Sequence, residues 1–157
     1  MAENALFRFQ VESIVEIAAP AEVVWRTLMG FDEYPQWSTM LHYVSGRAVV
    51  GEKMTLRLVI PQVVDYKFSP TIVAVEANRR FVWKTITGVP GIFDGEHGFT
   101  LDRLSDRQTR LTNREVYSGL LTPVIQRTAM MRAAPAGFVA MNHEIQRRAE
   151  SLAVQRG

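Results

Sequence analysis

The sequence predicts an α+β fold in which a strongly curved antiparallel sheet wraps around a long C-terminal helix. Three observations predict it: a short amphipathic helix begins near Pro20, alternating apolar and polar residues fill the middle of the chain, and a helical pattern runs from about Leu121 onward. Because a straight helix cannot fill the whole concave side of a curved sheet, this order of elements also predicts a cavity between the two.

The first strand is followed by two short helical segments. Its inward face is predicted to consist of Val11, Ser13, Val15 and Ile17. Pro20 ends the strand and is well tolerated in a first helical turn, so residues 20–29 are predicted to form a helix that buries Val24, Trp25 and Leu28. Gly30 ends that helix, and residues 31–37 are predicted to add a second helical turn whose aromatic side chains, including Trp37, have a structural role.

The middle of the chain is predicted to be a meander of half-buried strands. Two strands are indicated by the apolar alternation of Met54, Leu56, Leu58 and Ile60, and by that of Phe81, Trp83 and Thr85. Residues 66–75 are predicted to form one strand between them, with no clear buried face.

Residues 96–104 and 109–118 are predicted to form a hairpin joined by Ser105, Asp106 and Arg107. The first strand presents His97, Phe99 and Leu101, and the second strand presents Thr109, Leu111, Asn113, Glu115 and Tyr117. If both odd-numbered sets face inward, opposed residue numbers must sum to an even number, so the loop holds an odd number of residues. A three-residue loop satisfies this and places His97 opposite Glu115.

The C-terminal helical pattern contains a proline. Apolar residues recur at helical spacing from Leu121 to Leu152, but Pro135 interrupts them. An interior proline costs about 3 kcal/mol, because it removes a backbone hydrogen bond and clashes with the preceding turn. Two outcomes are open: a kink or break near Pro135 that creates an adjustable lid, or a second helix that begins at Pro135.

Composition excludes several classes of protein. The 157 residues, 47% of them hydrophobic, suit one domain spanning residues 1–157. A net charge of +2 with scattered Lys and Arg does not support nucleic-acid binding. The chain has no cysteine, its first residues lack a signal-peptide pattern, and no apolar run reaches the roughly 18 residues of a membrane span. We therefore expect a soluble, cytoplasmic protein.

Motifs along nearly the whole chain resemble one superfamily. They are residues 19–25 (APAEVVW), 31–37 (FDEYPQW), 79–83 (RRFVW), 97–99 (HGF), 109–111 (TRL) and 115–119 (EVYSG). Their order resembles the SRPBCC superfamily, the helix-grip fold of START lipid-transfer domains, birch-pollen-type allergens and polyketide cyclase/dehydrase-like proteins. The resemblance implies a seven-stranded antiparallel sheet that grips the C-terminal helix, two short helices after the first strand, and a largely apolar pocket.

His97 and Glu115 are the candidate catalytic pair. A carboxylate beside an imidazole favours the imidazolium and fixes the tautomer, which suits a proton shuttle. Asn113 lies on the same face as Glu115 and is a candidate for orienting a ligand carbonyl. The alternative is that His97 and Glu115 are a structural polar pair within the sheet, because buried polar groups need partners in any case.

The candidate ligand-binding residues are predominantly apolar. Together with Asn113 they are Met54, Leu58, Trp83, Phe99, Tyr117, Phe138 and Met141. Each could instead belong to an ordinary hydrophobic core.

Sequence motifs for metals and cofactors are missing. His143 and Glu144 begin a zinc-protease pattern, but Arg147 stands where the second histidine belongs, so we interpret them as a solvent-exposed helix pair. Asp94 and Glu96 form a poor metal site unaided. The sequence therefore predicts no metal and no cofactor.

Three functions remain open. The first is binding of a small hydrophobic or aromatic ligand, such as a lipid-like, polyketide-like or isoprenoid molecule. The second is a polyketide cyclase/dehydrase-type enzyme that uses His97 and Glu115 as acid and base. The third is a co-chaperone-like interaction domain, which requires an exposed apolar patch on the outer sheet or the helices. A homodimer formed through sheet edges is also possible.

Overall fold

The chain, described over residues 7–155 by a computed structural model, alternates short helices with long strands. In order, the elements are β1 (Arg8–Ile17), α1 (Ala21–Met29), a 3-10 turn (Phe31–Glu33), α2 (Tyr34–Trp37), β2 (Leu41–Gly46), β3 (Met54–Ile60), β4 (Val64–Phe68), β5 (Thr71–Glu76), β6 (Arg80–Ile86), β7 (Asp94–Ser105), β8 (Gln108–Ser118), α3 (Thr122–Ile125) and α4 (Ala129–Val154). The predicted α+β class, with short helices after the first strand and a long C-terminal helix, is confirmed.

The strands form two antiparallel sheets rather than one. The larger has the order β1-β8-β7-β6-β5, and the smaller has the order β2-β3-β4. The expected single sheet of seven strands is therefore wrong in detail: within the described residues there are five strands plus three. Near their junction, the sheets are linked by backbone hydrogen bonds such as Gly51 N–H to Ile72 O at 2.9 Å.

The strand predicted over residues 66–75 is wrong, because Pro70 divides it. β4 ends at Phe68 and β5 begins at Thr71, and the two belong to different sheets. Proline has no N–H to donate, so an uninterrupted strand ladder cannot pass through this position. The chain turns here from one sheet to the other, which is how the small sheet comes to face the large one.

The predicted hairpin register is confirmed. His97 lies opposite Glu115, and the inward faces of β7 and β8 are those that the alternation predicted. The loop differs from the expected three residues. Only Asp106 and Arg107 lie between the strands. A bulge between Arg103 and Ser105 shifts the register by one residue, so that odd-numbered residues of β7 still lie opposite odd-numbered residues of β8.

The expected break at Pro135 is wrong, and so is a helix start there. α4 continues from Ala129 to Val154 with Pro135 inside it, on the exposed side. The interruption comes earlier, at residues 126–128, between α3 and α4. Thr128 caps α4 there by accepting a hydrogen bond from the N–H of Met131, which satisfies one of the free donors of the first turn.

The main core lies where α4 and α1 pack on the concave side of the large sheet. Its most buried members are Ile17, Val24, Leu111, Ile145 and Ala149. Val24 and Leu28 are buried as predicted, whereas Trp25 is only half-buried against this core. No helix among residues 7–155 has both the length and the apolar composition needed to cross a membrane.

Candidate functional site

A cavity of about 100 Å³ lies between the two sheets and the first half of α4. Seven of the predicted site residues contribute to its wall: Leu58, Trp83, His97, Glu115, Tyr117, Phe138 and Met141. They come from β3, β6, β7, β8 and α4, so elements far apart in the chain converge on this space. The cavity reaches the surface where Tyr66 and Thr87, both exposed, form part of its wall.

Three predicted ligand-binding residues lie behind the wall rather than on it. Met54 and Phe99 are buried in the main core. Asn113 is fully buried as well, but its side chain contacts His97. Alternation identified the inward face of each strand correctly, yet it could not separate residues that line the cavity from those that fill the core.

Sequence reasoning missed several wall residues. They are Met40, Leu41, Ile60, Tyr66, Phe68, Thr85, Thr87, Phe93, Gly95, Met130, Met131, Ala134 and Gly137. Tyr66 and Phe68 share a face of β4, and their rings lie 5.5 Å apart, so the strand had a recognisable aromatic face once its end at Phe68 is known. Met130, Met131 and Ala134 precede Phe138 at helical spacing, a signal that the expected break at Pro135 obscured.

The imidazole of His97 lies between two aromatic rings. Its centroid is 4.5 Å from that of Trp83 and 5.1 Å from that of Phe138, with interplanar angles of 25° and 23°. Trp83 is the cross-strand neighbour of His97 on β6, whereas Phe138 comes from α4. Stacking from both sides holds the ring in one plane, so its two nitrogens can point only along the sheet.

Polar partners occupy both edges of the His97 ring. On one edge, Nε2 is 2.7 Å from Oδ1 of Asn113, and on the other, Nδ1 is 3.5 Å from Oε2 of Glu115. Tyr117 donates its hydroxyl to the same Oε2 at 2.6 Å. Asn113 in turn donates its Nδ2 to Sδ of Met141 at 3.6 Å, which directs its carbonyl oxygen towards the histidine. The four residues Asn113, His97, Glu115 and Tyr117 form a chain across β7 and β8.

The contact with Asn113 indicates which nitrogen of a neutral His97 carries the proton. Because Oδ1 of Asn113 can only accept, Nε2 of His97 carries a proton. Nδ1 is then the nitrogen that can accept a proton from a bound molecule, and Glu115 lies beside it to balance the resulting charge. The arrangement can therefore hold a proton at Nδ1 without creating an isolated buried cation.

Gly95 makes room for the carboxylate of Glu115. A Cβ on Gly95 would lie 2.9 Å from Oε1 of Glu115 and 3.7 Å from the ring of Tyr117, its cross-strand neighbour. Any larger residue would displace the carboxylate from its present position. Gly95 thus allows Glu115 to lie against the sheet, within reach of His97.

Burial and the charge of Glu115 keep the nearby phenols neutral. Burial raises the pKa of Tyr117, and the charge of Glu115 and its hydrogen bond raise that pKa further. The pKa of Tyr66 is also raised, first by burial and then by the Glu115 charge. Both hydroxyls therefore remain hydrogen-bond donors through the whole physiological range.

Stability is expected to fall at alkaline pH, chiefly because of two buried tyrosines, while the more exposed Tyr66 contributes less. Burial raises the pKa of Tyr34, as it does that of Tyr117, so the folded state retains protons that the unfolded chain releases above about pH 10. The contribution is complete below that pH and is lost above it, with a slope of up to about 1.4 kcal/mol per pH unit for each tyrosine. Urea unfolding at a series of alkaline pH values measures this slope. Tyr117→Phe should reduce it by about half, and an unchanged slope would contradict the assignment.

Glu144 differs from its sequence interpretation. His143 is exposed, but Glu144 is only 6% exposed, so the two are not a solvated pair. Its carboxylate accepts hydrogen bonds from the backbone N–H of Thr39 at 3.1 and 3.2 Å, and one from the Thr39 hydroxyl. Glu144 therefore ties α4 to the segment that carries Met40 into the cavity wall. Within the described part of the chain, no group of three or more acidic, histidine or cysteine side chains could hold a metal ion.

Comparison with family models identifies the class of protein. Residues 8–153 match the family described as polyketide cyclase / dehydrase and lipid transport, and the chain belongs to this family. The SRPBCC resemblance read from the sequence motifs is thereby confirmed. No curated protein sequence matches the chain significantly.

Solved structures with the same fold include enzymes and a protein dimer. The Zhui aromatase/cyclase from Streptomyces sp. R1128 is 17% identical, with a TM-score of 0.69 over 91% of this chain and 94% of that one. Norcoclaurine synthase from Thalictrum flavum is 13% identical, with a TM-score of 0.67 over 94% and 87%. The Aha1 dimer from Colwellia psychrerythraea is 17% identical, with a TM-score of 0.64 over 90% and 96%. At these identities the likeness establishes the helix-grip fold alone.

Proposed function

We propose that the protein binds a small hydrophobic or aromatic ligand, of lipid-like or polyketide-like chemistry, in the cavity between the sheets and α4. The observation that supports this most directly is the stack of Trp83, His97 and Phe138 in the cavity wall. Such a surface favours planar, unsaturated molecules, which bury apolar area and gain from ring stacking. Membership of a family that includes polyketide cyclases and lipid carriers agrees with this choice.

The size of the cavity limits the ligand. A volume of about 100 Å³ is well below the roughly 300–1,000 Å³ of pockets for drug-sized ligands. Four methionines line it, however: Met40, Met130, Met131 and Met141. Since methionine side chains are unbranched and change rotamer readily, a ligand larger than the empty space can enter by displacing them. A ligand of one or two rings fits best.

Polar groups in the wall select the ligand's substituents. His97, Glu115 and Tyr66 all line the cavity. A ligand hydroxyl can donate to Glu115 or His97, and a ligand carbonyl can accept from Tyr66. The preferred ligand therefore carries oxygen substituents on an otherwise apolar frame.

A polyketide cyclase/dehydrase-type enzyme is the second candidate. It is favoured by the position of Nδ1 of His97, 3.5 Å from the carboxylate of Glu115, which would balance the charge of a proton taken up there. Nδ1 would remove a proton from a carbon between two carbonyls, and the resulting enolate would attack a further carbonyl to close a ring. The imidazolium would give its proton to the alkoxide formed by that attack. For dehydration, Nδ1 would remove the second proton of the same carbon and transfer it to the hydroxyl, which leaves as water while the C=C bond forms. Glu115 would stabilise the imidazolium throughout.

The interaction-domain hypothesis receives no support from the outer sheet. The outer face of the large sheet carries charged side chains of both signs, among them Glu12, Lys84, Glu96 and Arg114. It is not the apolar surface that this hypothesis requires.

The first experiment combines ligand identification with a probe of the cavity. Native mass spectrometry of the protein purified from its own host, followed by denaturing extraction, is expected to reveal a stoichiometric apolar compound. Recovery of the compound unchanged after incubation supports a carrier, whereas its conversion to a cyclised or dehydrated product supports the enzyme. Binding of 2-naphthol, followed by calorimetry, tests the cavity itself.

Phe138→Leu is expected to weaken 2-naphthol binding by up to about tenfold, because a stacked aromatic pair contributes about 0.5–1.5 kcal/mol. Phe81→Leu is the matched control, since Phe81 is also buried but is absent from the cavity wall. Equal losses in the two variants, or no 2-naphthol binding to the native protein, would contradict the assignment of this cavity.

A further inference from the structure

We propose that the protein docks onto anionic lipid surfaces through an apolar patch beside the cavity. The mouth patch consists of Val89, Leu120, Leu121 and Val124, whose side chains are 65%, 63%, 46% and 65% exposed. Single exposed aliphatic residues are ordinary, but a cluster at this level of exposure indicates a surface that meets another apolar phase.

Hydrogen bonds hold the two segments of the mouth patch together. The N–H of Leu120 donates to the carbonyl of Gly91 at 3.0 Å, and the N–H of Leu121 donates to that of Ile92 at 2.9 Å. The loop between β6 and β7, which carries Val89, is thus fixed to the start of α3. The four side chains consequently form one surface rather than the tips of two independent loops.

The mouth patch lies next to cavity-lining residues along the chain. Thr87 and Phe93 flank Val89 in the loop between β6 and β7, and both line the cavity. Met130, which follows α3, lines it as well. Both segments of the mouth patch are therefore joined to elements of the cavity wall.

The charge around the mouth patch is positive. Residues 116–143 contain no Asp or Glu but include Arg127 and Arg132, and residues 86–93 contain no charged residue. Arg127 adjoins the patch, since its N–H donates to the carbonyl of Val124 at 3.1 Å, and the Arg132 guanidinium donates to the carbonyl of Arg127. Exposed arginines beside aliphatic side chains match the anionic headgroups and the acyl boundary of a bilayer.

A lipid surface suits the mouth patch better than a protein does. Stable protein interfaces bury about 1,200–2,000 Å² and concentrate aromatic residues in their centre. Among the residues that the structure describes, the mouth patch has four aliphatic side chains and no aromatic one, and the acidic side chain nearest to its loop, Asp94, is buried beside Lys84. The inference goes beyond the proposed function, because lipid docking can be measured with the cavity empty.

The test is flotation with vesicles of phosphatidylcholine, with or without phosphatidylglycerol, using the full chain and no added ligand. The native protein is expected to float with the anionic vesicles and much less with the neutral ones. Leu120→Ser combined with Val124→Ser should lower the partition coefficient by about tenfold or more. Arg127→Gln and Arg132→Gln should each lower it roughly fivefold on anionic vesicles only.

Controls separate docking from folding and from other partners. Ile14→Ser combined with Val73→Ser removes two aliphatic side chains that are 55% and 42% exposed on the large sheet, and it should leave flotation unchanged. Thermal unfolding checks that every variant is folded. Equal flotation of native protein and the Leu120/Val124 variant would overturn the proposal. So would concentration-dependent dimerisation that the same variant abolishes, because it would assign the mouth patch to a second copy of the chain.

Discussion

Gly119→Ala is expected to destabilise the protein by about 2–5 kcal/mol, because it combines backbone strain with a steric clash. Gly119 has φ of +129°, which side-chain-bearing residues rarely adopt. A Cβ there would lie 2.5 Å from the carbonyl oxygen of Ile92 and 2.6 Å from its carbon. That carbonyl accepts the N–H of Leu121, so it cannot move away without breaking the link between the loop and α3.

Gly88→Ala is the matched control for this prediction. Gly88 also has a positive φ, of +76°, but nothing lies within 4 Å of the Cβ position. The added Cβ would therefore cause no clash, and only the strain of the left-handed backbone should destabilise this variant, by roughly 1–2 kcal/mol. Urea unfolding of the two variants measures the difference. If both variants lost the same free energy of unfolding, the clash between the Cβ at position 119 and the carbonyl of Ile92 would not contribute to the destabilisation.

The strand pattern in the second half of the chain could be predicted because its faces are chemically distinct. β7 and β8 are long, and apolar residues alternate with charged ones, so parity together with an assumed three-residue loop predicted the pairing of His97 with Glu115. The same reasoning failed for β2 (Leu41–Gly46), which is only partly buried and shows no clean alternation. It failed again at Pro70, where the chain passes from the small sheet to the large one. Periodicity alone did not show that one strand ends before Pro70 and another begins after it.

Pro135 shows that tertiary packing can override a local rule. Proline weakens an isolated helix, yet α4 buries Met131, Ala134, Phe138 and Met141 on both sides of Pro135. These buried side chains keep both halves packed within one continuous helix, and the proline itself is exposed. The sequence shows the cost of the proline but does not show the apolar surfaces that offset it.

The cavity could be predicted as a consequence of the fold but not in its detail. Periodicity identified the inward positions of His97, Glu115 and Trp83, all of which line it. It could not identify Tyr66, because the small sheet that carries this residue depends on the change of direction at Pro70. Which inward side chains meet an empty space is set by the distance between sheets, a property that no single strand encodes.

Asn113→Leu is expected to destabilise the protein by about 1–3 kcal/mol, because it leaves Nε2–H of His97 buried without an acceptor. His97 is 6% exposed and Asn113 is fully buried, so water cannot replace the lost partner readily. His97→Phe should destabilise the fold by a similar amount, since it leaves the side-chain carbonyl oxygen of Asn113 without a hydrogen-bond donor. The variant that carries both changes replaces the polar pair with two apolar side chains and should cost less than the sum. Urea unfolding of all four proteins gives this coupling energy.

Stability alone would leave the role of His97 undecided, because a structural pair and a proton shuttle both predict the coupling. The double variant separates them, since it is expected to be folded and yet to lack the imidazole. If His97 and Glu115 recognise ligand oxygens, the native protein should bind 2-naphthol more tightly than naphthalene by about fivefold, the value of one hydrogen bond. The double variant, which keeps Glu115, should lose part of that preference while still binding naphthalene. A double variant that keeps the whole preference would make His97 and Asn113 a structural pair and would leave Glu115 as the group that recognises the hydroxyl.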